Sequence, residues 1–309
     1  MKSRIFSMGL AAVLAATAVF PLAILAQSPS SGPGTATFTV TVVGKNDAPS
    51  PPVARDDVQL SVNSERKQIA SWTKANELYL AILIDDSLNS DVGLQWSDLT
   101  SFIMAQPATS HVALAYASNA TVFIAQDFTT DHALVAEALR IPRGDIAAGS
   151  SPYLSVEDWI KRWPGIGTRG SLLLISSGID YFRGGFGPIY PDVDPTISLA
   201  EKSNVNIWSI YYPSAGRLGH FFYLVNKAQL NLSKLSLETG GESYYLGFSS
   251  PVSVKPYLDE LQQHLKNQYL LSFAGEGGTK GKFVSPRLKT ELSRLEFMYA
   301  DQAYIPPSK

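Results

Sequence analysis

Leu78-Tyr-Leu-Ala-Ile-Leu-Ile84 runs straight into Asp85-Asp-Ser-Leu-Asn-Ser-Asp91. A run that is apolar at odd and even positions alike has no solvent face. It reads as a strand buried on both sides, as the parallel strands of α/β sheets are. The polar cluster then stands at that strand's C-terminal end, where open α/β sheets bind ligands. Its oxygen-bearing side chains suit a hard cation such as Mg²⁺. They equally suit hydrogen bonds to loop backbone and the capping of a following helix.

Strands and helices alternate from this point on, the signature of an α/β layer fold. Trp96, Leu99, Phe102 and Ile103 are spaced for one helix face, and Pro107 stops that helix. Val112 to Ala117 and Thr121 to Ala125 read as two strands joined at Ser118-Asn119, the one antiparallel pair of the sheet. Thr130 to Leu139 reads as a short helix with Leu134, Val135 and Ala138 inward. Ser155 is placed to cap a helix carrying Val156, Trp159 and Ile160. Ser171 to Ile175 is a second apolar strand, ending in Ser176-Ser-Gly-Ile-Asp180. Asp194-Pro195 gives a cap followed by proline at the first helical position. Val205 to Tyr211 is a third buried strand. A helix with Leu232 and Leu235 ends at Thr239-Gly-Gly241, where glycine takes the left-handed cap. Glu242 to Leu246 reads as a short strand. Pro251 opens an amphipathic helix with Val254, Tyr257, Leu258, Leu261 and Leu265 inward and His264 toward solvent.

Both ends of the chain are β-patterned. Phe38, Val40 and Val42 alternate with Thr37, Thr39 and Thr41, a half-buried strand. Val58 to Val62 and Gln68 to Trp72 read as a hairpin across Asn63-Ser-Glu-Arg66. Tyr269, Leu271 and Phe273 alternate, and Pro286 to Leu292 and Leu295 to Tyr299 read as further strands. Neither set is large enough to stand alone, so the two are expected to pair in one unit beside the α/β core. The expected organisation is a signal peptide over 1–26, a linker over 27–35 and an N-terminal β unit over 36–72. The α/β domain follows over 73–267, with a C-terminal β segment over 268–309.

The export reading rests on Lys2 and Arg4 ahead of the apolar run Met8 to Ala26, with a small residue before Gln27. An uncleaved anchor is the other reading of that run. No other segment of the sequence is apolar enough to span a bilayer, so no membrane span is expected after cleavage. The chain has 309 residues and a formal net charge of -2, which gives nucleic acid no electrostatic footing. It has no cysteine, which excludes disulfides, zinc–thiolate sites and thiol catalysis. His111, His132, His220 and His264 are its histidines; none falls in a metal-binding spacing or beside a nucleophile motif. Gly-x-Ser-x-Gly is absent. A catalytic role is therefore not expected, and a hydrolase is kept only as the least favoured alternative. The aromatic loops are better candidates for contact: Tyr181, Phe182, Phe186 and Tyr190 after the second core strand, and Tyr211, Tyr212, Phe221, Phe222 and Tyr223 after the third. Such residues anchor protein partners or pack on one another as a lid.

Several of these stretches together resemble the von Willebrand factor A fold, and more closely the exported bacterial VWFA-related proteins of acidobacterial type. They are Asp85-Asp-Ser-Leu-Asn89, the lead-in Asp56-Asp-Val-Gln-Leu-Ser-Val62, Leu172 to Asp180, Leu237-Glu-Thr-Gly-Gly241, Tyr269-Leu-Leu-Ser-Phe273 and Phe297 to Tyr304. The resemblance covers about residues 36 to 305. It implies a Rossmann-like domain with a mostly parallel central sheet, plus a small antiparallel β unit from both terminal segments.

The resemblance also implies a metal-ion-dependent adhesion site. That site uses Asp-x-Ser-x-Ser after the first strand, a Thr from a loop before a central helix, and an Asp at the end of the second core strand. Asp85 and Ser87 match, and Asn89 stands for the second Ser. Ser150 or Ser151 stands for the Thr. Ser177 stands where Asp is expected, and Asp180 would need a rearranged loop to replace it. With Asp85 helped only by Asp86, a metal set of Asp85, Ser87, Asn89 and Ser151 is a degenerate Mg²⁺ site, since Mg²⁺ rests on carboxylates. The expectation is a non-catalytic exported module that binds a protein or cell-surface ligand and has no cofactor beyond weak Mg²⁺. The alternative is a Mg²⁺-dependent adhesin using Asp85, Ser87 and Asn89.

Overall fold

Residues 34–45, 50–74, 77–144, 150–164, 168–183, 190–244 and 247–308 are described by a computed structural model. The expected signal peptide and nearly all of the expected linker lie outside them. In chain order the terminal strands come first: β1 (Thr35–Gly44), β2 (Gln59–Val62), β3 (Glu65–Lys67) and β4 (Ile69–Lys74). The α/β core follows with β5 (Tyr79–Asp85), α1 (Trp96–Met104), β6 (His111–Ser118), β7 (Thr121–Thr129) and α2 (His132–Glu137). It continues with α3 (Pro152–Ile160), β8 (Gly170–Ser176), α4 (Val193–Ser203), β9 (Val205–Tyr211), α5 (Phe222–Glu238), β10 (Ser243–Tyr244) and α6 (Lys255–Lys266). The chain closes with β11 (Gln268–Ala274), β12 (Lys282–Val284), β13 (Pro286–Lys289), β14 (Leu295–Tyr299) and β15 (Ala303–Ile305).

The core sheet has the order β10-β9-β8-β5-β6-β7. All neighbours run parallel except β7, which is antiparallel to β6 as its short turn at Asn119 requires. This is the doubly wound order with its third strand reversed, the Rossmann-like von Willebrand factor A arrangement. β5 lies at its centre. Leu80, Ile82 and Ile84 face α1, α2 and α6, while Ala81 and Leu83 face α3, α4 and α5. That double cover explains the unbroken apolar run. Each fully buried Leu or Ile here contributes about 1.5–3 kcal/mol, so a charge at Ile82 would break the layer.

The terminal segments form one antiparallel sheet in the order β14-β1-β11-β4. β1 pairs with β11 from Thr35↔Ala274 to Thr41↔Gln268, and with β14 from Val40↔Tyr299 to Gly44↔Leu295. The half-buried strand expected of residues 37–42 is instead buried on both faces, because its threonine face packs on the α/β core. That face is satisfied there: Thr39 donates from both N and Oγ1 to Asn204 Oδ1, at 2.8 and 3.0 Å. Asn204 holds a left-handed φ of 54° at the end of α4, so one residue both stops that helix and docks the β unit.

The other departures are local. The expected hairpin is split: β2 turns through Asn63 and Ser64 into β3, but β4 crosses to pair with β11, where Trp72 stacks on Tyr269. Ser151, not Ser155, caps α3, accepting from Leu154 N with Pro152 as first helical residue. α4 starts at Val193, ahead of the expected Asp194 cap, and α6 starts at Lys255, not at Pro251. Leu134 is exposed, because α2 is too short to bury more than one stripe. His264 is buried rather than solvent-facing, because α6 also covers Trp208 of β9, on which its ring stacks. Among the described residues no helix is long and apolar enough to cross a membrane.

Candidate functional site

Parallel pairing brings the C-terminal ends of β5, β8 and β9 side by side, with Asp85, Ser176 and Tyr211 as their last residues. Both oxygens of Asp85 are engaged. Oδ1 accepts from the Ser87 N–H at 2.9 Å, and Oδ2 accepts from the Ser176 hydroxyl at 2.7 Å. Ser176 Oγ accepts in turn from Gly178 N at 2.9 Å. Gly178 has φ +67°, and a Cβ there would lie 2.7 Å from Leu232 Cγ, so only glycine makes this turn. Burial pushes the Asp85 carboxyl above its ordinary value, and the Ser176 and Ser87 hydrogen bonds pull against that rise.

A second layer of backbone closes over this end. Leu88 bridges Ser214, Asn89 N donates to Pro213 O at 3.1 Å, and Ala215 N donates to Ser87 O at 2.9 Å. Tyr181 OH and Ser214 Oγ share a 2.8 Å hydrogen bond. Asp85, Ser87, Ser151 and Ser177 are buried as a result, and Asn89 stays partly exposed.

Asp86, which the sequence places as a helper of Asp85, points elsewhere. It holds Arg140 bidentately, at 2.7 and 3.0 Å, and accepts from Arg143 N at 3.0 Å. The Arg140 guanidinium lies over the Tyr116 ring, 3.7 Å from its centroid. This bidentate pair ties the first core strand to the loop after α2.

The loop positions expected to complete a metal site have other partners. Ser150 accepts from Phe182 N through its carbonyl. Ser151 Oγ caps α3, and Ser177 Oγ accepts from Ile179 N at 3.4 Å. Asp180 is fully buried; its Oδ1 accepts from Arg183 N at 3.2 Å, while its Oδ2 has no hydrogen-bond partner. Burial raises its carboxyl, the nearby Asp192 charge adds to the rise, and the Arg183 N–H and the Ser151 hydroxyl oppose it. The Lys227 ammonium also feels Asp180 and sits 3.6 Å over the Tyr190 ring. Asp85, Ser87 and Ser151 are therefore buried, and the Asp85 carboxylate and the Ser151 hydroxyl are engaged in hydrogen bonds within the chain.

The aromatic candidates divide. Tyr181 and Tyr190 are buried, as are Tyr211 and Tyr212, the latter two pushed up to about 12 by burial. Phe186 lies outside the described residues. Phe182, Phe221 and Phe222 are 45%, 51% and 69% exposed. Phe222 stacks on Phe248, ring centroids 5.2 Å apart. Phe221 and Phe222 stand at the start of α5, and Phe248 follows β10, so both reach the end of the sheet that Asp85 occupies. Phe248, Ser176 and Arg140 escape a sequence reading, since their roles arise only when strands and loops distant in sequence meet. Of the histidines, His132 bonds a backbone carbonyl, His264 contacts a tyrosine and His111 a glutamate.

The strand order defines a von Willebrand factor A-type α/β domain. No protein-family model matches the chain, and no curated protein matches it. Similar solved structures include the conserved hypothetical protein BatB from Bacteroides thetaiotaomicron, at 12% identity over 61% of this chain and 96% of that one, with a TM-score of 0.44. A von Willebrand factor type A structure from Catenulispora acidiphila is 12% identical over 91% of this chain and 75% of that one, TM-score 0.42. The SpRpn10 VWA domain is 14% identical over 60% of this chain and 94% of that one, TM-score 0.38. The assignment of the fold rests on the strand order and its one reversed strand.

Proposed function

We propose that this chain is an exported, non-catalytic binding module of the acidobacterial VWFA-related type, which engages a protein or cell-surface ligand through the strand C-terminal face. The observation that carries this reading is the exposed Phe222–Phe248 stack, with Phe221 beside it, at the sheet end where α/β folds bind ligands. Clustered exposed aromatics are the residues that most often anchor protein partners. The hydrogen bonds that engage both oxygens of Asp85 support a degenerate adhesion site and a contact that needs no metal. The basic and apolar pattern of residues 2–26 supports export to the periplasm or beyond.

A Mg²⁺-dependent adhesin using Asp85, Ser87, Asn89 and Ser151 is the second reading. The buried, unpartnered Oδ2 of Asp180 beside Ser151 favours it. Thermal unfolding of the EDTA-stripped chain with and without millimolar Mg²⁺ separates the two, since a ligand bound only by the folded state raises the midpoint. The proposal expects equal midpoints; a rise of several degrees with Mg²⁺ supports the adhesin.

A further inference from the structure

The start of the edge strand β10 carries a second group of metal-binding side chains. Alternation along the strand puts Glu242 and Tyr244 on one face, and the i, i+4 spacing of α6 puts Glu260 and His264 on another. The helix packs on the strand so that one oxygen of Glu242, one oxygen of Glu260 and one ring nitrogen of His264 lie within 4.8 Å of one another. His264 Nδ1 is 3.9 Å from Glu242 Oε2 and 3.4 Å from the Tyr244 hydroxyl. From these positions we propose that Glu242, Glu260 and His264 bind a divalent transition-metal ion of the Zn²⁺ type, with Tyr244 beside the fourth position.

Two observations favour an ion over a simple ion pair. The His264 side chain is only 7% exposed, yet its Nδ1 is turned toward two carboxylates, and 3.9 Å is too long for a hydrogen bond to Glu242. The carboxylates of Glu242 and Glu260 converge on the same place, two like charges with an imidazole between them and no cationic side chain among the three. A tetrahedral ion with bonds of about 2.1 Å sets its ligand atoms about 3.4 Å apart, so the three atoms, now within 4.8 Å of one another, would draw together on an ion. Imidazole plus carboxylates suits Zn²⁺, whereas Mg²⁺ and Ca²⁺ prefer oxygen alone. Such an ion clamps a two-residue edge strand to α6, independently of what the Asp85 face binds.

The test is calorimetric titration of the EDTA-stripped full chain with Zn²⁺ and, separately, Mg²⁺. Saturable one-to-one Zn²⁺ binding, weakened at least tenfold by Glu260→Gln and by His264→Gln, is the expected result, with no Mg²⁺ binding at this site. Glu260 is exposed, so E260Q reports on the site without disturbing the core. No saturable Zn²⁺ binding by the parent chain, or an unchanged affinity in folded E260Q, overturns the assignment.

Discussion

The Ser176 hydroxyl donates to Asp85 Oδ2 at 2.7 Å, across two neighbouring parallel strands at their C-terminal ends. This bond ties the ends of the two strands together through a buried carboxylate. Ser176→Ala leaves a buried carboxylate short of a donor and is expected to cost about 1–3 kcal/mol in denaturant unfolding.

Asp85 also sets a pH trend. Its folded value is raised, so its stabilising contribution is present at low pH and is lost as pH rises through the folded value. Asp85→Asn keeps the shape and removes the titration. The variant is expected to unfold at the same or a higher temperature than the parent at pH 8, and to be no more stable at pH 4. A large loss of stability in D85N at pH 8 contradicts the assignment.

Glu201 gives a sharper version. It is 5% exposed on α4, accepts from Gln302 N at 3.0 Å, and has an unpartnered Oε2. Burial, then the charges of Asp301 and Glu238, push it up to about 8, with the Gln302 N–H opposing. The folded chain holds this proton between its ordinary value and about 8, so stability falls across that window as pH rises. At about 1.4 kcal/mol per unit, the upper bound of the loss is on the order of 5 kcal/mol. Glu201→Gln is expected to flatten the slope of melting temperature against pH between 5 and 8, about the window set by linkage. An unchanged slope would falsify the assignment.

The fold was legible because apolar runs and turn chemistry are local. Leu78 to Ile84, Ser171 to Ile175 and Val205 to Tyr211 each announce a doubly covered strand, and Gly240 announces a helix stop. The β unit was legible as two sets of strands short of partners. What stayed hidden depends on contacts between segments distant in sequence. Thr37, Thr39 and Thr41 read as a solvent face until Ser272, Asn204 and Gln268 are brought against them. Ser176 and Ser177 are equivalent on paper, and only strand register decides that Ser176 meets Asp85. His264 reads as exposed because α6 looks amphipathic, yet the helix covers the sheet edge more broadly than its leucine stripe.

The Asp86–Arg140 pair is expected to be structural. Asp86→Ala strands a guanidinium over Tyr116 and removes acceptors for Arg143 N, at an expected cost of about 2–3 kcal/mol. Because Asp86 points away from Asp85's partners, ligand capture by the folded variant should match the parent.

The most direct test of the binding face is capture of envelope proteins by the purified chain in EDTA, comparing the parent with Phe222→Ser/Phe248→Ser and with Asp85→Asn, each first shown to be folded by circular dichroism. The account predicts that the aromatic double variant loses the captured partner while D85N and the parent retain it without metal. Capture that survives the loss of both phenylalanines, or that vanishes in EDTA and in D85N, would contradict it.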